Sequence, residues 1–167
     1  MSLDKIPKRT LELFKVEEYS GIFDISIQGR VIEIQQGSGF ILRCPECNRM
    51  LHEGSCQLHG NVDGVADLRI KCIIDDGTGS VSAVFNQEIT EQVLGKSIDE
   101  CKELVPSVLM DLIRDKLFSY VFSMQGNTMR DQFGITFIPT MVEKVEFDAI
   151  KDAEILKLKI EEGGFGE

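Results

Sequence analysis

The chain of 167 residues lacks most of the features that would assign it to a membrane, to secretion or to acid–base catalysis. It has no apolar run long enough to span a bilayer and no charged-then-apolar leader at its start. It contains only two histidines, and no glycine-rich phosphate loop precedes a predicted helix. No nucleophile–base constellation is visible either, so the sequence predicts a protein that is not an enzyme.

Basic charge is also scarce, because 18 Lys and Arg residues face 28 Asp and Glu residues, a formal net charge of −10. Nucleic-acid binding usually shows as a basic footprint, so the total charge argues against it. The acidic residues, however, concentrate in the terminal helices and in residues 143–167. Five basic residues lie near the cysteines and the central strands: Arg43, Arg49, Arg69, Lys71 and Arg130. The total charge therefore does not decide what one groove binds.

Four potential metal ligands occur in two short-spaced pairs. Cys44 and Cys47 form one C-x-x-C knuckle, and Cys56 and His59 form a second knuckle after eight residues. This is the ligand spacing of a small zinc ribbon, and four ligands close the tetrahedron, as in a structural site. His52 lies in the intervening loop as an alternative fourth ligand, but the x-x spacing favours His59. Reduced cysteines of this kind indicate a reducing compartment.

The remaining chain alternates between strand and helix patterns. Strands are predicted at 23–35, 40–42, 66–74, 80–85, 118–125 and 135–145, with helices at 89–94, 106–116 and 149–160. Ser97 and Glu100 predict a capping box, and Gly126-Asn127 is expected to interrupt the later strands. The order predicts a mainly β protein with flanking helices: a five-stranded OB-fold barrel, a zinc ribbon between strands one and two, and a C-terminal helix.

In its sequence motifs and in the order of its predicted elements, the chain resembles the C-terminal single-stranded-DNA-binding domain of the large subunit of replication protein A, in its archaeal form. The resemblance depends on the two knuckles, on DLRIKCIIDDGTGSVSAVFNQEITEQVLGKS (67–97) and on FSYVFSMQGNTMRDQFGITFIP (118–139). It covers residues 23–160 and implies three parts. These are a lead-in segment (1–22), an OB-fold domain (23–147, zinc ribbon at 40–62), and a C-terminal helix and tail (148–167).

The resemblance also implies the residues that contact DNA. One stacking aromatic of the family ends the third strand, which here gives Phe85, and a second lies in the last hairpin, which here gives Phe133. Phe40 and Phe122 are further candidates for stacking. Phosphates would be bound by four basic residues: Arg69, Lys71, Arg43 and Arg130. Family barrels often carry a basic residue on the third strand, where this chain has Ser80 and Ser82.

The implied function is sequence-independent binding of single-stranded DNA in replication, repair and recombination, with a structural Zn²⁺, in a cytoplasmic, nucleoid-associated protein. Two roles are expected for the C-terminal helix: it covers the barrel, or it packs against sister subunits of a replication protein A complex. Two alternatives stay open from the sequence. The first is a subunit-assembly module with weak DNA contact, and the second is an RNA-binding OB protein.

Overall fold

The computed structural model describes residues 12–13, 24–118, 120–146, 153–154 and 157. The strands in these ranges are β1 (Ile25–Ile34), β2 (Gly39–Arg43), β3 (Ser55–Cys56), β4 (Gly60–Asn61), β5 (Val65–Asp75), β6 (Ser80–Phe85), β7 (Val121–Asp131) and β8 (Gly134–Lys144). The helices are α1 (Gln87–Leu94), α2 (Ile98–Lys102) and α3 (Pro106–Phe118). Within this part of the chain, every helix is too short or too polar to cross a bilayer.

Five of the strands form a closed ring. Strand β1 pairs antiparallel with both β5 and β7, β5 pairs with β6, and β7 pairs with β8. A parallel pairing of β6 with β8 completes the circle. The resulting order, β1-β5-β6-β8-β7, is the strand order of an OB barrel, so the predicted fold class is confirmed. Strand β2 extends the sheet beside β5, and the short β3–β4 pair forms a separate ribbon before the second barrel strand.

Strand β1 pairs with β7 over its first half and with β5 over its second half, where the register shifts between Val31 and Glu33. Ile25, Ile27 and Val31 point into the core, as their alternation predicts. Gly29 lies between them, and a Cβ at this position would be 2.7 Å from the backbone oxygen of Asp75 on β5. Only glycine allows so close an approach of the two backbones, which explains the glycine in the middle of the strand.

The core fills the barrel and the space between the barrel and the three helices. Helix α1 begins where the Asn86 side chain accepts a hydrogen bond of 3.0 Å from the Ile89 amide, and it ends at Gly95 with φ of 68°. Helix α3 buries Leu109, Ile113 and Leu117 against the barrel. The capping box predicted at Ser97 and Glu100 is present at the start of α2 with both of its hydrogen bonds.

Two predictions about the second half of the chain need comment. The expected interruption at Gly126-Asn127 is wrong, because β7 continues through Gly126 to Asp131. A Cβ at Gly126 would be 2.2 Å from the Ile138 carbonyl oxygen, so this glycine permits a close strand approach beside a register shift. The predicted C-terminal helix lies mostly outside the described residues, although residues 153, 154 and 157 are helical.

Candidate metal centre and nucleic-acid interface

The first cysteine knuckle follows directly from the end of β2. The Asn48 amide donates to the Cys44 carbonyl at 2.9 Å, and the Cys44 amide donates to the Arg49 carbonyl at 2.8 Å. Asn48 has φ of 59°, a left-handed conformation that asparagine tolerates better than most residues. These bonds fold Cys44-Pro45-Glu46-Cys47 into a tight turn that holds both thiols on the same side.

The second knuckle is built on the β3–β4 ribbon. Cys56 pairs with Gly60 across the ribbon, and His59 lies in the turn between them. Gly60 has φ of 69°, the open conformation that the sequence predicts just past this knuckle. The ribbon thereby directs the thiol of Cys56 and the imidazole of His59 towards the first knuckle.

The four side chains meet at one point. Their ligand atoms all lie within 4.8 Å of one another, and the arrangement can hold a metal ion. The Sγ of Cys44 is 3.4 Å from the Nδ1 of His59, and the Sγ of Cys56 is 3.7 Å from the same nitrogen. The Sγ atoms of Cys47 and Cys56 are 3.5 Å apart. His52 is not part of this group; its backbone pairs instead with Ser55.

Local hydrogen bonds prepare two of the thiols to act as thiolates. Backbone N–H groups of Leu58 and His59 lower the pKa of Cys56 to about 6. Burial raises the pKa of Cys44, but the amides of Cys47 and Glu46 outweigh it, so the pKa lies below its usual value of 9.0. Deprotonated sulfur is the form that binds a metal.

His59 is oriented by neighbours on both of its ring nitrogens. Contacts with Cys44 and Cys56 raise its pKa. Its Nε2 lies 3.4 Å from a carboxylate oxygen of Glu46. A carboxylate on the far ring nitrogen is the usual support for a metal-binding imidazole, because it fixes the ring orientation.

The knuckle segment, residues 44–61, has almost no apolar core of its own. Its buried cluster consists of Cys44, Leu51 and Cys56, with Cys47 and Val62 packed against it. This cluster is separate from the barrel core. The two-residue strands β3 and β4 are too short to be stable alone. The stability of the knuckle segment therefore depends on interactions among its four potential ligand side chains.

The outer surface of strands β5 and β6 carries polar and basic residues between the buried positions. Arg69, Lys71 and Ile73 alternate with inward-facing residues on β5, and Ser82 and Val84 do so on β6. We call these five residues the β5–β6 face. The Nε of Arg69 donates to the Gly37 carbonyl at 3.0 Å, and the Lys71 side chain packs beside the same turn. The two predicted phosphate contacts therefore lie next to each other.

The hairpin joining β7 and β8 adds an aromatic ring to this surface. Phe133 is 88% exposed, the most exposed large apolar side chain of the described residues. Its amide donates to the Asp131 carboxylate at 2.8 Å, which holds the turn. Phe133 and Arg130 line a groove of about 390 Å³ together with Ile73 and Ser82 of the β5–β6 face. The predicted stacking position Phe133 is thus placed where a base could reach it.

The expectation for Phe85 is wrong. Its side chain has 0% exposure and belongs to the barrel core, beside Ala83 and Val81 on the inward side of β6. A buried ring offers no face to a base. Phe122 is also buried, at 1% exposure, whereas Phe40 on β2 is 38% exposed. Of the predicted aromatics, Phe133 and Phe40 are accessible.

The basic residues near the knuckle segment are held in place by specific contacts. Arg43 forms an ion pair of 2.5 Å with Asp67 and donates to the Asn48 carbonyl at 3.1 Å. Arg69 contacts the sulfur of Met50 at 3.3 Å. Burial and the nearby charge of Arg43 lower the pKa of Arg69, with Asp67 acting in the opposite direction. The sequence did not predict that Asp67 pairs with Arg43, because this ion pair depends on the register of β2 against β5.

No protein-family model and no curated protein matches this chain. Two solved structures are among those whose fold resembles that of this chain. A chain of a replication protein A heterotrimer bound to single-stranded DNA aligns with a TM-score of 0.60 and 14% identity, over 85% of this chain and 36% of that chain. A chain of yeast RPA bound to single-stranded DNA aligns with a TM-score of 0.59 and 13% identity, over 93% of this chain and 98% of that chain. The chain therefore spans about a third of the length of the first of these. The likeness supports the OB fold.

Proposed function

We propose that this protein binds single-stranded DNA without sequence preference, through the β5–β6 face and the hairpin that carries Phe133. The observation that carries the proposal is the 88% exposed ring of Phe133 beside Arg130 in a groove floored by barrel strands. The fold likeness to two chains in DNA-bound replication protein A complexes supports the choice of ligand.

Stacking on Phe133 supplies the affinity that does not depend on sequence. Every base has a π-face, so an exposed ring in a groove contributes roughly 1–3 kcal/mol per stacked base. Arg69 and Lys71 track the phosphates along β5, and Arg130 does so at the hairpin. Arg43 contributes less, because its charge is already paired with Asp67. A local run of basic groups is compatible with a net charge of −10, since exposed charges farther away than about 8–10 Å are screened by salt.

We further propose that the knuckle segment holds Zn²⁺. A tetrahedral zinc ion with bonds of about 2.3 Å to sulfur and 2.0 Å to nitrogen separates two sulfurs by about 3.8 Å and a sulfur from a nitrogen by about 3.5 Å. Three of the six distances between the ligand atoms lie within about 0.3 Å of these values: 3.5 Å between Cys47 and Cys56, and 3.4 and 3.7 Å from His59 to Cys44 and Cys56. A closed set of three thiolates and one imidazole leaves no open coordination position, so the ion is structural.

The structural ion acts on DNA binding through two side chains. Arg43 donates to the Asn48 carbonyl and Arg69 contacts the Met50 sulfur, and both partners belong to the knuckle segment. An ordered knuckle segment therefore holds the two guanidinium groups at one end of the β5–β6 face. Without the ion, both groups lose these contacts.

In its most specific form, the proposal is that this protein is a counterpart of the zinc-containing C-terminal domain of the replication protein A large subunit. This domain would be a non-enzymatic, cytoplasmic, nucleoid-associated module acting in replication, repair and recombination. Association with sister subunits through the C-terminal helix is part of the same proposal. That helix belongs to residues 148–167, of which 153, 154 and 157 are described.

The test is a titration of labelled oligo-dT against wild type and Phe133→Ala, with Phe118→Ala as the matched control. Phe118 is 41% exposed on α3 and does not line the groove. We expect Phe133→Ala to weaken binding roughly 5- to 150-fold, the equivalent of one stacked base, and Phe118→Ala to leave it unchanged. Equal affinities for all three proteins would refute the site. Tighter binding of the matching RNA would move the proposal to an RNA ligand.

A further inference from the structure

The groove that carries Phe133 opens between the first residues of strands β6 and β8. The parallel pairing of these strands begins at Ser82 and Thr136. Val81 on β6 and Ile135 on β8 precede this point, and both line the groove, whose volume is about 390 Å³. Pockets for small molecules begin at roughly 300 Å³, so the groove is large enough to admit part of a nucleobase as well as to present a ring to it.

The floor of this groove is aliphatic. Val81 is 7% exposed and Leu13 is 1% exposed, and both belong to the barrel core, so they close the groove from below. Ile73 on β5 and Ile135 on β8 are half-buried, so their side chains keep part of their apolar surface open to the groove. An apolar group of a ligand that enters the groove is therefore transferred out of water, which is favourable.

Polar side chains line the same groove beside this floor. Ser80 is exposed and Ser82 is half-buried, and both point outward from β6. A serine hydroxyl donates one hydrogen bond and can also accept, so it can pair with either a carbonyl oxygen or an N–H group of a base. Both side chains are short, so they leave room for the base. A base stacked on the ring of Phe133 would thus have its edge next to hydroxyl and aliphatic groups.

Thymine is the DNA base that matches this combination of groups. Its C5-methyl group is the feature of a base edge that apolar side chains contact, and its O4 atom accepts a hydrogen bond. Uracil has the same polar groups without the methyl group. Cytosine also lacks the methyl group. An aliphatic floor therefore distinguishes thymine from both of the other pyrimidines, whereas hydroxyl groups alone would not.

We propose that this groove is a thymine-preferring subsite, in which one base stacks on Phe133 and its C5-methyl group packs against Ile73 and Ile135. This inference rests on the proposed function and adds a base preference at one position of the bound strand. Burial of one methyl group corresponds to about a 4-fold gain in affinity. So small a preference still allows strands of any sequence to bind, since the other positions are not read.

The test compares labelled oligo-dT with oligo-dU of the same length on the full chain. The two strands share the deoxyribose backbone and differ only in the C5-methyl group. We expect wild type to bind oligo-dT about 4-fold more tightly, and Ile73→Ala and Ile135→Ala to bring this ratio towards one. Val84→Ala is the matched control and should keep the wild-type ratio. Val84 is a half-buried aliphatic residue of the β5–β6 face that does not line the groove.

Equal affinities of wild type for the two strands would overturn the inference. A ratio that neither isoleucine variant changes would also overturn it, as would an equal reduction in Val84→Ala. Ile135 packs against the barrel core, so Ile73→Ala decides alone if Ile135→Ala does not fold. Binding of neither strand would remove the proposed function and the subsite with it. Equal binding of both strands that still depends on Phe133 would remove only the subsite.

Discussion

Removal of the proposed Zn²⁺ should unfold the knuckle segment and leave the barrel folded. The perturbation is a zinc chelator under reducing conditions, with His59→Ala as an independent variant. A structural zinc site of this size is worth on the order of 10 kcal/mol, whereas burial of one leucine contributes about 1.5–3 kcal/mol. Leu51 is the largest side chain in the buried cluster of this segment, so its apolar contacts cannot replace the ion.

The barrel should survive because its core is separate. None of the residues in the cluster around Leu51 belongs to the core that joins the barrel strands to the three helices. Metal removal should therefore abolish amide protection in residues 44–61 and leave protection in β5 and β7 almost unchanged. DNA affinity should fall as well, because Arg43 and Arg69 lose their partners Asn48 and Met50.

The assay is hydrogen exchange followed by mass spectrometry, with and without chelator, alongside a measurement of metal content. We expect one zinc per chain in the untreated protein and a loss of protection confined to the knuckle segment. Protection in residues 44–61 that persists after the metal is gone would refute the reasoning. Loss of protection throughout β5 and β7 would show that the two clusters are one folding unit.

Two further predictions concern the barrel. Gly126→Ala should lower the free energy of unfolding by about 1–3 kcal/mol, because the added Cβ would lie 2.2 Å from the Ile138 carbonyl oxygen. Urea denaturation measures the change in stability, and an unchanged midpoint would contradict the prediction. Burial raises the pKa of Asp76, but hydrogen bonds from Leu13, Thr78 and Gly79 hold it below the usual 3.8. Its stabilising effect is therefore complete above pH 3.8 and is lost as the pH falls through the lower folded value. Thermal melts of wild type should show an acid-dependent loss that is smaller in Asp76→Asn, and equal losses would contradict the assignment.

The strands and knuckles were predictable because their signals are local. Alternation of apolar and polar residues placed β5 and β6 within a residue of their observed bounds. The knuckle spacing identified four side chains that the structure brings to one centre. Phe85 was misplaced because the resemblance was preferred to the alternation. It shares a face with the buried Val81 and Ala83, while Ser80 and Ser82 point outward, so the pattern alone assigns it to the core.

Contacts between distant segments were not predictable. The pairing of Arg43 with Asp67 requires the register of β2 against β5, which no local pattern gives. The hydrogen bond from Leu13 to Asp76 joins residues 63 positions apart. Gly126 looks like a turn residue in the sequence, because a glycine needed for a close strand approach has the same local signature as one needed for a turn. These features depend on how the barrel closes.

The salt dependence of oligo-dT binding tests the central claim most directly. The probe is a labelled strand of about 30 nucleotides, longer than the roughly 4–16 nucleotides that one OB fold covers. For single strands, log affinity should fall with log salt by about 0.7 for each phosphate neutralised. The variant pair is Arg69→Gln with Lys71→Gln, and its control is Lys102→Gln with Arg114→Gln, which removes two charges from helices α2 and α3.

We predict salt-sensitive binding by the zinc-loaded wild type, with a slope that is shallower by about 1.4 in the Arg69/Lys71 variant and unchanged in the helix variant. Absence of binding even at low salt would contradict the proposed function. Binding with the same slope in the wild type and the Arg69/Lys71 variant would place the DNA somewhere other than the β5–β6 face.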